Sequence, residues 1–157
     1  MNPSSPAATE ALRQFRVIFG AVRQHFQAVE KVCGVSGAQI WAMAALRQRP
    51  GLRVSELAQA LSIHASTASN LLDKIEQAGL IRRERNSTDQ RVVRLYLTAA
   101  GEKALEKAPQ PLTGILTHAL GQLSDEALER LNHDLATLIA HMGGTDTRDA
   151  QKPLSEV

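Results

Sequence analysis

The sequence predicts a mainly helical chain with one small β-hairpin, and three observations carry that expectation. Apolar residues recur at helical spacing through most of the 157 residues. Only residues 80–84 and 92–97 read as strands, and the polar, basic stretch 85–91 joins them. Aromatics are scarce, one Trp, one Tyr and three Phe, so Leu, Ala, Ile and Val must fill the core, which suits helix-on-helix packing.

Taken in order, residues 1–6, with Pro3, Ser4, Ser5 and Pro6, read as a disordered lead-in. A long helix is expected over about residues 8–32. There Leu12, Phe15, Phe19, Val22, Phe26 and Val29 recur at alternating steps of three and four. Such a stripe is too long for a small domain to cover alone, so a second subunit is expected against it. Gly34 ends the helix, and Ser36 with Gln39 forms a capping box for the next, over about residues 37–47. Its core candidates are Ile40, Trp41, Ala44 and Met43. Pro50 and Gly51 stop it, and residues 52–54 are short enough only for a minor strand beside the hairpin.

Two closely spaced amphipathic pieces follow. Residues 55–61 start at a Ser55 cap and turn Leu57, Ala58 and Leu61 inward; a break at Ser62 and Ile63 leads to residues 65–78, closed by Gly79. In the second piece Ala68, Leu71, Leu72 and Ile75 share one face, opposite Ser66, Asn70, Asp73 and Gln77, with Thr67 and Lys74 on the shoulder. Helix, turn, helix, hairpin is the order of a winged helix-turn-helix, a module that lays its second helix in a DNA groove. Ser66, Thr67 and Asn70 occupy the first turns, where base edges come within reach, and Asn pairs bidentately with adenine. His64, just before them, and Lys74 and Arg85 are candidate phosphate contacts.

Beyond the hairpin, Thr98 caps a fifth helix that breaks at Pro109 and Pro111; a helical pattern resumes over 112–120. Ser124, followed by Asp125 and Glu126, starts a last helix with Leu128, Leu131, Leu135, Leu138 and Met142 as its stripe. Gly143 and Gly144 end it, and residues 143–157 read as a flexible tail. The expected division is a winged module over 36–97 between helical dimerisation segments 7–35 and 98–142.

Charge supports nucleic acid locally. Within residues 47–94, nine Lys and Arg face five Asp and Glu, +4 against a whole-chain net of +2. No apolar run approaches the about 18 residues that span a bilayer, and the N-terminus lacks a secretory pattern, so the expected setting is the cytoplasm. Cys33 is the single cysteine, which excludes an internal disulfide and leaves a Cys-based zinc site without partners. His25, His64, His118, His133 and His141 have no tight metal spacing, and no cofactor is expected. Nothing reads as a nucleophile elbow, P-loop or paired-carboxylate site, so an enzyme is not expected.

On these residues the chain resembles the MarR family of bacterial transcription regulators. The likeness rests on V-S-E-L-A at 54–58, the run 66–80, D-x-R at Asp89 and Arg91, and L-T-x-x-G at 97–101. It implies a homodimer on a near-palindromic operator in double-stranded DNA, commonly a repressor released by a small, often aromatic or anionic effector. It also implies that Arg91 enters the minor groove while Asp89 holds it by a salt bridge. The effector is expected where the first, second and fifth helices meet the module, with Arg16, Arg23, Trp41, Met43 and His118 as candidates. Two alternatives stand beside this reading: a redox-sensing repressor acting through Cys33, and a winged helix used only for protein contacts.

Overall fold

The computed structural model describes residues 5–157; most of the lead-in expected at 1–6 lies outside the described residues. The element order is α1 (Pro6–Cys33), α2 (Gly37–Gln48), α3 (Val54–Ala60), α4 (Ala65–Gln77), β1 (Ile81–Arg85), β2 (Val93–Leu97), α5 (Ala99–Lys107), α6 (Ile115–Leu120) and α7 (Asp125–Met142). Two 3₁₀ turns follow, Thr147–Gln151 and Leu154–Glu156.

Helix ends follow local chemistry. Ser5 accepts the Ala8 N–H at 3.1 Å, and Pro6 takes the first helical position, where its missing donor costs nothing, so α1 starts two residues before the sequence suggests. The capping box of α2 forms as read, with the Gln39 side chain on the Ser36 N–H at 2.8 Å and the Ser36 hydroxyl on the Gln39 N–H at 3.2 Å. Ser55 is not the cap of α3: that helix begins at Val54, because Glu56 reaches back to the Arg53 N–H at 2.8 Å and makes Arg53 the boundary. The segment 112–120 is helical only from Ile115, since Pro111 and Gly114, at φ 92°, hold the preceding residues out of the helix.

The core lies where α2 crosses the helix-turn-helix. Ile40, Met43 and Leu46 of α2 pack with Leu57, Leu72, Ile75, Leu95 and Leu105, all essentially unexposed. The buried face of α4 is Ala68, Leu71, Leu72 and Ile75, as the spacing predicts. Each of its three large side chains contributes about 1.5–3 kcal/mol on burial. The hairpin pairs Ile81 with Leu97, Arg83 with Leu95 and Arg85 with Val93. Leu95 also donates its N–H to the Leu52 carbonyl at 3.0 Å, so the minor strand expected at 52–54 is a single bridge. Gly79, at φ 73°, makes the sharp exit from α4, and a Cβ at Gly101 would run into the Leu80 carbonyl, which seats α5 closely beneath the hairpin.

Outside this module the stripes stand uncovered. Of the α1 stripe only Val29 is buried; Leu12 and Phe19 are exposed, as are Val17 and Ile18 beside them. Helix α7 buries no residue, and Leu138, Ile139 and Met142 face solvent. Residues 143–157, read as a flexible tail, carry the two 3₁₀ turns, and Pro153 among them is buried.

Candidate nucleic-acid interface

The turn between α3 and α4 is tight. Ser62 adopts φ 55°, an uncommon conformation for a residue with a side chain, and Ile63 donates its N–H to the Ala58 carbonyl at 3.0 Å. That geometry aims the start of α4 outward. His64 is its N-cap and makes no side-chain cap bond, so the first amides of the helix are left to other acceptors. Ser66, Asn70, Asp73 and Lys74 are exposed on the face opposite the buried stripe, and Thr67 is half-buried at its edge. Donors, acceptors and the positive end of a 13-residue helix therefore share one open surface.

The hairpin tip is built from its loop residues. Asn86 donates its N–H to the Val92 carbonyl at 2.9 Å, while its side-chain oxygen accepts from the Thr88 N–H and hydroxyl. Asp89 accepts the Arg91 N–H at 3.0 Å, and its carboxylate lies 3.5 Å from the Arg91 guanidinium. The Arg91 side chain is nonetheless 94% exposed. It is a cation restricted at its root and free at its head, suited to a narrow electronegative groove.

The remaining arginines divide by what they touch. Arg85 donates to the Gln90 carbonyl at 2.9 Å and staples the base of the loop while staying exposed. Arg83 turns under the hairpin and forks onto Asp73 at 2.8 Å and Glu76 at 3.2 Å, tying the wing to α4. Arg82 lies over the Tyr96 ring, 4.9 Å from its centre, and pairs with Glu84. Arg94 donates to the Gly51 carbonyl at 3.0 Å. Alternation along the strands points some of Arg82, Arg83 and Arg94 away from the DNA-facing side, but it does not reveal that Arg83 ties the wing to α4.

The second region is an apolar cleft among α1, α2 and α6. Val22, Phe26, Trp41, Ile115 and Leu116 line it. Of the residues expected at an effector site, Trp41 is in the cleft and Arg23 edges the adjoining groove. Met43 is not: it is fully buried in the core, because α2 is covered on nearly every side. Arg16 and His118 are exposed and line neither space. Phe26, Ile115 and Leu116 were missed, although Phe26 lies on the α1 stripe and the other two belong to the pattern of 112–120.

Cys33 is half-buried at the end of α1, its Sγ 3.7 Å from the Ala104 carbonyl. Burial raises its pKa above the ordinary thiol value, and Lys107 offsets this only in part. Among the described residues no group of three or more His, Cys, Asp or Glu could hold a metal ion. Among the described residues no helix is long and apolar enough to cross a membrane.

A helix-turn-helix with a basic hairpin beside its second helix defines a winged-helix protein of the transcription-regulator class. Residues 35–93 match the MarR family. The chain is 32% identical over 119 residues to the HTH-type transcriptional repressor MdtR of Bacillus subtilis, covering 76% of each. It is similar to the crystal structure of the YusO protein from Bacillus subtilis, at 26% identity and TM-score 0.57, covering 88% of this chain and 99% of that one. A crystal structure of the S. aureus MepR–DNA complex matches at 26% identity and TM-score 0.57, covering 82% and 94%. The chain belongs to the MarR family of transcription regulators.

Proposed function

We propose that this chain is a homodimeric, sequence-specific DNA-binding repressor of the cytoplasm, relieved by a small effector with an apolar body, and not an enzyme. The observation that carries the reading is the pairing of two exposed features on one rigid module. One is the polar outer face of α4; the other is Arg91, 94% exposed above Asp89 at the hairpin tip. In this reading Ser66, Thr67 and Asn70 meet base edges in the major groove, and Arg91 enters the minor groove. His64, Lys74 and Arg85 meet phosphates. The name of MdtR as a repressor and the DNA held by MepR support it.

The exposed stripes of α1 and α7 support the division into a winged module, 36–97, and dimerisation segments, 7–35 and 98–142. A twofold dimer covers both stripes and presents two copies of α4 to a near-palindromic site. The effector is placed in the groove along α1 that adjoins the Trp41 cleft, where Arg23 meets an anionic group. Arg16, Met43 and His118 are set aside as contacts, since none reaches that cleft.

The test begins by selecting an operator from random duplexes with the wild-type protein. Arg91→Ala is then expected to weaken binding to it by about 1–3 kcal/mol, with the melting temperature unchanged. Equal affinity of variant and wild type removes the wing from the mechanism. Failure of selection to enrich any sequence favours a protein-contact module instead.

A further inference from the structure

Residues 153–155 line the cleft beside Trp41. Gly143 and Gly144, at φ 62° and 60°, turn the backbone after α7. Asp146 with Arg148 and Asp149 with Lys152 form local ion pairs that hold the next turn together. Pro153 is buried, and with Leu154 and Ser155 it forms one wall of the space beside Phe26 and Trp41. With this wall in place the remaining cavity is about 50 Å³, room for a few waters and far below the several hundred Å³ of a usual ligand site.

The same segment also touches the DNA-reading helix. The Gln151 carbonyl accepts the backbone N–H of His64, the N-cap of α4, at 3.4 Å. That donor is one a phosphate would use, so the segment and DNA compete for it. The fit is imperfect in one place: the Ser155 hydroxyl oxygen is buried with no hydrogen-bond partner among the described residues. An unpaired buried hydroxyl weakens docking and leaves the segment displaceable.

We propose that residues 143–157 are a tethered inhibitor, which fills the cleft beside Trp41 and caps the N-terminus of α4, so that docking of the tail opposes DNA binding. Its consequence for DNA rests on the DNA-binding reading above; its docking does not. Docking and release of Pro153 and Leu154 therefore set whether the His64 amide is open to DNA.

Trp41 is the only tryptophan of the chain and reports the docked state directly. The test compares wild type, Leu154→Asp and Ser155→Ala by Trp emission, by acrylamide quenching and by affinity for the selected operator. Leu154 is 49% exposed, so the charged variant is expected to fold, which circular dichroism checks. Leu154→Asp is expected to shift Trp41 emission to the red, raise its quenching and tighten DNA binding on the order of three- to tenfold. Ser155→Ala is expected to lower quenching and weaken DNA binding. Identical Trp41 signals in all three proteins overturn the docking. Altered Trp41 signals with unchanged DNA affinity overturn the inhibition. Wild-type protein that binds no duplex overturns the DNA-binding reading and the inhibition with it, while the Trp41 comparison still decides the docking.

Discussion

Arg83 is the residue whose loss separates a structural wing from a wing that works with α4. Its side chain is 27% exposed and closes on Asp73 at 2.8 Å and Glu76 at 3.2 Å. Partly exposed ion pairs contribute up to about 1 kcal/mol each, and a guanidinium forked between two carboxylates sits at the upper end. Arg83→Ala is therefore expected to cost about 1–2 kcal/mol of stability, or roughly 2–8 °C of melting temperature for a chain of this size. The effect on DNA follows from what is left behind. Asp73 loses its cation on the outer face of α4, one turn from Asn70, and turns an uncompensated carboxylate toward the phosphates. The wing also loses its tie to the recognition helix. Operator affinity is expected to fall by about 1 kcal/mol or more, close to fivefold, although Arg83 itself touches no DNA in this reading. Thermal unfolding and fluorescence anisotropy on the selected duplex measure the two effects. Removing Asp73 and Glu76 in the Arg83→Ala background should then cost little further stability. A variant that melts and binds like wild type, or a double-mutant cycle with no coupling, refutes the reasoning.

Two further predictions concern the regions flanking the module. Phe19 is 67% exposed and meets the Phe15 ring at a tilt, their centres 6.0 Å apart, so Phe19→Asp should cost the monomer fold little. It should split the dimer in sedimentation velocity; an unchanged dimer places the interface elsewhere. At Cys33, burial favours the neutral thiol, so the thiolate forms only at higher pH than in a free cysteine. Alkylation by iodoacetamide should show a rate midpoint above that of a free thiol, and a midpoint below it would revive the redox reading.

Much of this architecture is legible in the sequence where periodicity and capping agree. The α4 stripe, the Ser36–Gln39 box and the hairpin all follow from local patterns that tertiary contacts reinforce. The misreadings have specific causes. Ser55 is the better cap by residue type, but the Glu56 side chain satisfies the amide of Arg53 and moves the boundary. Met43 was a plausible cleft residue because periodicity cannot tell which side of a helix meets a cleft when nearly all sides are buried. The fold-back of the tail rests on Pro153, Leu154 and Ser155 meeting Phe26 and Trp41, more than a hundred residues away in sequence. Composition alone reads that stretch as loop. The arginines are the most instructive case: composition counts them alike, whereas geometry assigns Arg82, Arg83 and Arg94 to the fold and leaves Arg91, paired only with Asp89 among the described residues, almost wholly exposed.

Operator binding is expected to weaken steeply as salt rises, because several cations of the winged module meet the duplex. With Lys74 and Arg85 on phosphates and Arg91 in the minor groove, each cation displacing about one counterion in both halves of a dimer, the slope of log K against log salt should be roughly −5. A slope of that size, lessened by nearly two when both copies carry Arg91→Ala, is the predicted result. A flat dependence would contradict the account.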